Sequence, residues 1–594
     1  MFPTPRFDDS IDRLAQLREA FPRVEEIFRE FAEKNPVPGV AYGIVVDGAL
    51  VLSGGVGVQN VTSQVPVTAD SVFRIASMTK SFTAMALMKL REDGKFNLDD
   101  AAERHVPELA GLPYPTRDSA RITVRQLLTM SAGFPQDDPW ADRQLAAAED
   151  QFSAWMKQGI TFSNPPGVKY EYSNFGYAIL GRIVTNLARM PYQQYVTEKI
   201  LKPLGMTSTT FDVNQVDPKR LAMGYRRQDD EWVEEPPLVD GAFASIGGLF
   251  TTVNDFAKYM NYLLAAFPPR DEAESEPVRR SSLREMMQAH RQRIVASSRT
   301  TPDMPAWYTS DGYGYGLACG IDSILGYSVC HGGGLPGYGT FYKILPDCNV
   351  GLVALGNVTY SSISLKVNDA LVMLSQTGGL IPRQVPASQA LLDVQKGVTD
   401  LYETWSDDDI TALSTATFFQ DMALERRRKQ VQDLRANFGK VKSVTPFVAE
   451  NNLRGRWTLQ CQRGNIEAYV TLAPTVPPRM QTLQLIGAKP LSAALKMAVN
   501  QVLKQIAAWD EEKAKTLFAS SLKRKDMQSQ LEAVRVQYGK LRGGDVLEGD
   551  GQNQARVRLL GERGMVDMKV GINPKSGQVV EVVFTRPRET QFVP

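Results

Sequence analysis

The chain has 594 residues, of which 43% are hydrophobic and 22% are charged, values that are ordinary for a globular protein. The length predicts roughly two to four domains, because one hydrophobic core rarely extends over so many residues. The 67 Lys and Arg residues balance the 66 Asp and Glu residues, so the charge gives no reason to expect nucleic acid or an anionic membrane as a partner.

The beginning of the chain shows no targeting segment. It lacks the basic stretch and apolar run of a secretory signal. No apolar run in the sequence approaches the roughly 18 residues that a membrane span needs. We therefore expect a cytoplasmic protein without a membrane partner.

Helical and strand patterns alternate along the first 100 residues. Residues 8–34 have the apolar spacing of an amphipathic helix. Two apolar runs, 40–46 and 49–57, flank Asp47-Gly48, which predicts a β-hairpin. A long helical pattern then runs from Ser77 to Glu92.

The next 275 residues or so complete a first domain, for which we predict the bounds 1–380. Residues 100–300 are mainly helical, and strand patterns return over residues 311–358. Strands therefore flank a helical middle. This arrangement predicts an α+β fold in which both ends of the domain form one antiparallel sheet beside a helical lobe.

The C-terminal third contains an internal repeat. We interpret residues 381–395, which carry Gly and Pro nearby, as a linker. Beyond it, two sequences recur 100 residues later: Asn437-Phe438-Gly439-Lys440 matches Gln537-Tyr538-Gly539-Lys540, and Arg463-Gly464 matches Arg563-Gly564. Each copy begins with helical patterns and ends with alternating strands. We predict two tandem small α+β domains, 396–490 and 491–594, which could cover the mouth of an active site or mediate self-association.

Cysteine and histidine usage predicts neither a disulfide scaffold nor a metal site. Four cysteines are few for this length, and Cys319 and Cys330 are expected to be free thiols even if they lie on neighbouring strands. The histidines His105, His290 and His331 are scattered and have no metal-binding spacing. We expect no metal and no cofactor, which argues against a metallohydrolase.

The first candidate motif is Ser77-Met78-Thr79-Lys80. At a helix start, residues i and i+3 share a face, so the Lys80 amine could lie beside the Ser77 hydroxyl. A serine hydroxyl is a weak nucleophile until a base removes its proton, and the Lys80 amine could be that base. The alternative is a plain helix start with a capping serine. The motif alone is weak, since Ser520-Ser521-Leu522-Lys523 also matches it and is interpreted as a solvated helix face.

The second candidate motif is Tyr172-Ser173-Asn174, just before a helical run that starts at Phe175. A tyrosine near two cations can lose its proton and act as a base, and an asparagine offers a donor and an acceptor to a substrate amide. Alone, Tyr172 could equally be a core residue. Tyr259-Met260-Asn261 has the same spacing within a helical pattern and is interpreted as packing.

The third candidate motif is His331-Gly332-Gly333-Gly334, after a predicted strand. Glycines on an edge strand let a substrate backbone approach, and the Gly334 amide could bind an oxyanion together with the Ser77 amide. The alternative is a glycine-rich turn in which His331 is merely a hydrogen-bonded polar residue.

Taken together, in this order, the three motifs resemble the serine β-lactamase and penicillin-recognising family, nearest to its class C-like branch. The resemblance covers about residues 35–375 and includes the supporting segments 127–133, 203–206 and 247–252. It implies a β-lactamase-like fold for the first domain. It does not extend to the two C-terminal repeats.

The resemblance also implies roles for individual residues. Ser77 would form an acyl-enzyme, Lys80 and Tyr172 would share the proton transfers, and Tyr172 would activate the hydrolytic water. Asn174 would hold the substrate amide, with the amides of Ser77 and Gly334 as the oxyanion hole. His331 and Gly333 would line the substrate side of the cleft.

One departure affects the expected substrate. Many members have lysine where this chain has His331, which is mostly neutral at neutral pH and binds a carboxylate less well. His-x-Gly resembles the branch with D-aminopeptidases, D-stereospecific peptidases and some esterases. We therefore expect hydrolysis of a small-molecule or peptide amide with a D- or unusual residue, with ester hydrolysis or a non-catalytic binding protein as alternatives.

Overall fold

The computed structural model describes residues 3–35, 37–138, 140–274, 276–298, 307–561 and 564–585. The described residues form two compact units. The first contains residues 7–297 and 307–383, and the second contains residues 3–6, residue 298 and the chain from residue 384 onward. In this described part, no helix combines the length and the apolar character that a membrane span requires.

The first unit is built on an antiparallel sheet. The strands of the unit are β1 (Gly39–Val46), β2 (Ala49–Gly57), β3 (Phe73–Arg74), β4 (Gly224–Gln228), β5 (Glu231–Glu235), β6 (Phe250–Thr251), β7 (Arg291–Ser298), β8 (Trp307–Tyr313), β9 (Ala318–Asp322), β10 (Gly326–Leu335), β11 (Tyr338–Leu345) and β12 (Val350–Gly356). Eight of them form the main sheet in the order β2-β1-β12-β11-β10-β9-β8-β7. The pairing of β1 with β12 joins the two ends of the unit, as the sequence predicts.

The hairpin between β1 and β2 confirms the turn prediction. Asp47 and Gly48 have φ angles of 50° and 88°, the left-handed values that a tight two-residue hairpin turn needs. Glycine adopts such a value without steric cost, and aspartate tolerates it better than most residues.

Helices cover both faces of the sheet. The helices of the first unit are α1 (Arg13–Arg18), α2 (Phe21–Lys34), α3 (Thr79–Glu92), α4 (Val124–Leu128), α5 (Glu149–Gln158), α6 (Asn174–Ala188), α7 (Tyr192–Val196), α8 (Ala244–Gly247), α9 (Val253–Leu264), α10 (Arg280–Met286) and α11 (Ile363–Ser375). Alternate β1 side chains face opposite ways: Ala41 and Val45 pack in the cluster that contains α3, α6 and α9, whereas Tyr42 and Ile44 pack with α2 and α11. The predicted α+β arrangement, in which both ends of the domain form one antiparallel sheet beside helices, is confirmed.

The single helix predicted over residues 8–34 is in fact two helices. The chain breaks between α1 and α2, just ahead of Pro22. A proline has no backbone N–H to donate to the preceding turn, so it fits the first turn of a new helix and not the interior of a continuous one.

The second unit contains both repeats. Its helices are α12 (Gln389–Glu403), α13 (Asp407–Leu413), α14 (Phe418–Asp421), α15 (Leu424–Phe438), α16 (Ala493–Ala507), α17 (Glu511–Leu517) and α18 (Arg524–Tyr538). Its strands are β13 (Val441–Val444), β14 (Val448–Asn451), β15 (Arg454–Cys461), β16 (Gly464–Leu472), β17 (Met480–Ala488), β18 (Leu541–Gly549), β19 (Gln554–Gly561), β20 (Gly564–Ile572) and β21 (Val579–Thr585). The matched Gly439 and Gly539 both end a helix with positive φ, 80° and 71°, which explains why the two sequences coincide there.

The two repeats share a sheet but have separate cores. All nine strands belong to one sheet, in which β17 of the first copy meets β18 of the second. Each copy buries its own apolar cluster. The expected linker 381–395 overlaps the start of α12, which Ser388 caps, and Arg563 of the repeat alignment lies outside the described residues. The domain bounds and the role of the repeats remain predictions.

Candidate active site

Ser77 and Lys80 meet at the start of α3. Ser77 lies in a 3₁₀ turn, Ala76–Met78, and Lys80 follows in the first turn of the α-helix. The Lys80 Nζ donates a hydrogen bond to the Ser77 Oγ at 2.9 Å. By contrast, Ser520 and Lys523 are exposed in the turn before α18 and do not lie on a helix face.

The chain that leads into Ser77 is held from two sides. The Ile75 amide donates to the Leu249 carbonyl at 2.9 Å, and the Thr340 hydroxyl donates to the Ile75 carbonyl at 3.0 Å. Ala76 has a φ of 49°, a left-handed value that is uncommon for a residue with a side chain. Such strained backbone persists only where the surroundings enforce it, so the position of the serine is tightly determined.

Lys80 is fully buried, and its ammonium has a second acceptor. The Nζ also donates to the Ile246 carbonyl at 2.9 Å. Burial lowers the pKa of Lys80 to about 8, although Asp138 and Asp142 act in the opposite direction. An amine with this pKa supplies a useful fraction of free base at neutral pH, which an ordinary lysine does not.

The loop that carries Tyr172 is anchored to the segment 127–133. The amides on either side of the tyrosine bind Met130: Glu171 donates to its carbonyl at 2.8 Å and Ser173 to its Sδ at 3.3 Å. The Lys80 Nζ lies 5.0 Å from the centroid of the Tyr172 ring. The first two motifs therefore meet in space.

The protonation of Tyr172 differs from the prediction. Burial raises the pKa of Tyr172 well above its usual value, and the hydrogen bond with the Ser77 hydroxyl opposes this only in part. The nearby Lys80 does not make the phenol acidic, because removal from water disfavours the phenolate and Asp138 repels it. Lys80, and not Tyr172, is thus the group of this pair that titrates near neutral pH. The similar Tyr259 is buried in α9 and stacks on Phe82 at 4.2 Å, which confirms its packing role.

Asn174 begins α6 and is held by two aspartates. Its backbone amide donates to Asp137 Oδ1 at 2.7 Å, and its Nδ2 donates to Asp138 Oδ1 at 2.5 Å. Its Oδ1 is buried and has no hydrogen-bond partner among the residues that the structure describes. The sequence predicts that Asn174 offers both a donor and an acceptor to a substrate amide. One of the two N–H donors of the amide is therefore taken, and the acceptor is left free.

The aspartates of this loop are not among the site residues that the sequence predicts. Asp137 also accepts from the Phe175 amide at 2.7 Å and so caps α6. Asp142 accepts from the Tyr360 hydroxyl at 2.7 Å, and burial raises the pKa of Asp142 to about 6. These contacts join residues that are distant along the chain, and no local pattern signals them.

His331 lies in β10, with both ring nitrogens engaged. The Nδ1 donates to the Gly332 carbonyl at 2.6 Å, so the Nε2 accepts from the Tyr313 hydroxyl at 3.0 Å. Burial lowers the pKa of His331 to about 3, and the charges of Lys80 and Arg293 add to this effect. The imidazole is neutral, as expected, but it has no free atom for a substrate. These hydrogen bonds are typical of a residue that holds its neighbours in position and not of one that binds the substrate directly.

The glycines after His331 lie within β10 and not in a turn. Beyond Cys330 the strand pairs with β11 but no longer with β9, so it forms a local edge. A Cβ on Gly333 would lie 2.1 Å from the Ile75 carbonyl oxygen, and one on Gly334 would lie 2.5 Å from the Tyr360 ring. The protein's own packing therefore requires glycine at these two positions, and the contact of their backbone with a substrate stays a prediction.

Two further features complete the surroundings of the site. The Arg293 guanidinium stacks over the rings of Tyr170 and Tyr313, at 5.3 Å and 5.9 Å from their centroids. Cys319 and Cys330 are free thiols. Among the residues that the structure describes, no three His, Cys, Asp or Glu side chains are grouped so as to hold a metal ion.

The pKa of Lys80 predicts the pH dependence of activity. We expect kcat/KM for a neutral ester to rise about tenfold from pH 7 to pH 9 with a midpoint near 8, because only the unprotonated amine can accept the Ser77 proton. The free amine is present above the lowered pKa and is lost as the pH falls through it. Initial rates corrected for spontaneous hydrolysis measure this, and a flat profile over the range would contradict it.

Comparisons with known proteins agree with this geometry. A family model described as Beta-lactamase matches residues 24–375. "Protein flp" of Staphylococcus aureus (strain MW2) is 29% identical over 339 residues, which are 57% of this chain and 63% of that protein. "Beta-lactamase-like protein 2" of Dictyostelium discoideum is 30% identical over 262 residues, 42% of this chain and 47% of that protein. The chain thus spans less than two thirds of the length of these curated relatives.

Solved structures with a similar chain course include two penicillin-binding-protein relatives. The octameric penicillin-binding protein homologue from Pyrococcus abyssi has a TM-score of 0.49 and 20% identity, and covers 96% of this chain and 98% of its own. The penicillin binding protein from Bacillus halodurans has a TM-score of 0.46 and 21% identity, with 59% of this chain and 98% of its own covered.

Proposed function

The chain belongs to the beta-lactamase family, and on this basis we propose that it is an active serine hydrolase that forms an acyl-enzyme at Ser77. One observation carries the proposal. A buried amine with a pKa lowered to about 8, that of Lys80, lies 2.9 Å from the Ser77 hydroxyl. A serine becomes a competent nucleophile when such a base is within hydrogen-bond reach.

The proposed reaction has two halves. The Ser77 Oγ attacks the substrate carbonyl carbon while its proton passes to the Lys80 amine. The oxyanion faces the amides of Ser77 and Gly334, the bond to the leaving amine or alcohol breaks, and the leaving group takes the proton. Water then attacks the ester, releases the acid and returns the proton to Ser77.

In this proposal Tyr172 acts as a neutral phenol and not as the deprotonated base that the sequence predicts. A neutral phenol that is hydrogen-bonded to the nucleophile can accept a proton on one lone pair while it donates its own, so it relays protons between Lys80, the leaving group and water. Because Lys80 and Tyr172 interact closely, their titration is that of the pair.

For the substrate, we propose an amide or peptide with a D- or otherwise unusual residue near the scissile bond. The support is the His-x-Gly motif, in which the neutral His331 supplies no positive charge for a substrate carboxylate. Hydrolysis of small acyl esters at the same site is the alternative. Rates on D-alanine and L-alanine p-nitroanilides, compared with p-nitrophenyl butyrate, separate the two, and turnover of the ester alone would favour an esterase.

Covalent labelling with a fluorophosphonate tests the core of the proposal. We expect the wild-type protein to be labelled on the tryptic peptide that contains Ser77, and the Ser77→Ala variant to stay unlabelled. Ser520→Ala is the matched control, because it removes the exposed serine of the second Ser-x-x-Lys sequence and should leave labelling unchanged. A folded wild-type protein that is not labelled would favour the non-catalytic binding protein.

A further inference from the structure

A buried ion pair lies close to the nucleophile along the chain. Arg74 is the last residue of β3, and its side chain is 2% exposed, while that of its partner Asp240 is 7% exposed. The Arg74 Nη2 donates to Asp240 Oδ1 at 3.1 Å and to the Leu238 carbonyl at 2.7 Å. The guanidinium also lies over the Phe250 ring, 4.3 Å from its centroid. Arg74 thus holds the loop 238–240 against β3.

This ion pair is costly to keep in the interior. The Arg74 Nε and the Asp240 Oδ2 are buried and have no hydrogen-bond partner among the described residues. Burial raises the pKa of Asp240 to about 7, and the charge of Arg74 opposes this only in part. Replacing such a pair with well-packed apolar side chains is often neutral or stabilising. Stability therefore does not explain the pair, and its position points to another role.

Asp240 lies against the backbone that follows α8. A Cβ on Gly248 would lie 2.4 Å from Asp240 Oδ2, so the carboxylate can approach this closely only because the residue is glycine. Gly248 is two residues beyond Ile246, whose carbonyl accepts from the Lys80 Nζ at 2.9 Å. The ion pair therefore connects the segment that leads into Ser77 with the segment that carries this carbonyl.

The Ile246 carbonyl orients the amine for its reaction with Ser77. As a free base, the Lys80 amine has two N–H groups and one lone pair. When the Ile246 carbonyl holds one N–H, the lone pair can face the Ser77 hydroxyl, which lies 2.9 Å from the Nζ. Without this acceptor the amine turns about its last bond, and fewer of its orientations can receive the proton.

We propose that Arg74 and Asp240 are positioning residues of the hydrolase, whose ion pair holds the Ile246 carbonyl where it orients the Lys80 amine towards Ser77. The inference rests on the proposed hydrolase function. It adds to the catalytic groups a pair of residues that touch neither the substrate nor the reacting atoms.

The pair acts through position and not through its charges. The charges that raise the pKa of Lys80 are those of Asp138, Asp142 and Asp137. Removing both charges of the ion pair leaves these three carboxylates in place. Such a change therefore affects the amine through the position of the Ile246 carbonyl.

The test replaces the pair with apolar side chains of similar shape. The double variant Arg74→Met/Asp240→Leu leaves no single buried charge, and a methionine can pack on the Phe250 ring, so we expect a Tm close to that of wild type. We expect kcat/KM for p-nitrophenyl butyrate to fall about tenfold or more. The midpoint of its pH profile should fall by about half a unit or more, because the Lys80 ammonium loses an acceptor that stabilises it.

The wild-type profile is fitted with two titrations, because Asp240 has a pKa of about 7, and the profile of the double variant with one. Arg74→Lys gives the same two readouts if the double variant does not fold. Lysine keeps a charge opposite Asp240 but cannot replace a guanidinium that stacks on the Phe250 ring, so the rate and the midpoint should change in the same directions.

Arg558→Met/Asp567→Leu is the matched control. This ion pair joins β19 to β20 in the second unit, its side chains are 11% and 2% exposed, and the Nε donates to Oδ1 at 2.9 Å. The same replacement there should leave the rate and the midpoint at the wild-type values. A folded Arg74→Met/Asp240→Leu variant with the wild-type rate, or with a midpoint that is unchanged or higher, would overturn the inference.

Fluorophosphonate labelling separates this failure from a failure of the proposed function. If Ser77 of the wild type is labelled and the double variant keeps the wild-type rate and midpoint, the hydrolase stands and the positioning role is wrong. If the folded wild-type protein is neither labelled nor active on the ester, the proposed function itself fails.

Discussion

Replacing Lys80 with methionine is expected to lower kcat/KM for ester hydrolysis by about 10²–10⁴-fold, the range that a positioned base contributes. The variant keeps the Ser77 hydroxyl but removes the amine that lies 2.9 Å from it. The pH dependence near 8 should disappear with the amine. Steady-state rates over a range of pH, measured on the same preparation, test both statements.

We expect the Lys80→Met variant to lose activity without losing stability. Lys80 is fully buried, so Lys80→Met removes the cost of keeping an ammonium out of water, and this gain offsets the loss of its hydrogen bonds to the Ser77 Oγ and the Ile246 carbonyl. We therefore expect an unchanged or higher Tm for Lys80→Met. Lys89→Met is the control on the same helix, since Lys89 only pairs with Asp93 near the surface, and it should keep activity within about twofold. A Lys80→Met variant with more than a tenth of wild-type activity would contradict the proposed base.

Replacing Gly333 with alanine is expected to lower kcat/KM by about 100-fold or more and to reduce the free energy of unfolding by about 1–3 kcal/mol. The added Cβ would lie 2.1 Å from the Ile75 carbonyl oxygen and 2.3 Å from the Thr340 hydroxyl. Either β10 or the chain at Ile75 must move. Because Ile75 is two residues from Ser77, the nucleophile would be displaced. Kinetics and chemical denaturation measure the two effects.

Gly332→Ala provides a closely matched control for this prediction. The nearest atom to a Cβ at that position is in the Phe341 ring, at 3.5 Å, which is an ordinary contact. We expect this variant to fold and react like wild type. If Gly333→Ala were equally active and stable, the close approach of β10 to Ile75 would be wrong, and with it the account of why these glycines are needed.

Local patterns predicted the parts of the site that lie on one element. Ser77 and Lys80 share the first turns of α3, and their spacing alone brings the two side chains together. The hairpin of β1 and β2 followed from Asp47-Gly48, since only a few residue types adopt the left-handed backbone of that turn. The repeat was visible because Gly439 and Gly539 end equivalent helices.

Where the structure differs from the sequence-based predictions, the cause is a contact between residues that are distant along the chain. Asn174 was expected to offer its amide to a substrate, but Asp138, which lies 36 residues earlier in the chain, takes one of its two N–H donors. His331 was expected to line the substrate side, but Tyr313 and the Gly332 carbonyl occupy its ring nitrogens. No spacing rule connects such pairs, because they meet only when separate loops and strands have packed.

The amino-acid sequence thus determined the α+β class, the family and the placement of the Lys80 amine beside the Ser77 hydroxyl, all of which depend on residue types and their spacing along the chain. The tertiary structure alone decided the ionisation states of Lys80 and Tyr172, because burial sets the pKa of Lys80 near 8 and keeps Tyr172 neutral. It also decided which hydrogen-bonding atoms stay free for a ligand. Burial and partner choice arise from chain segments that are far apart in sequence, so they exist only in the folded molecule.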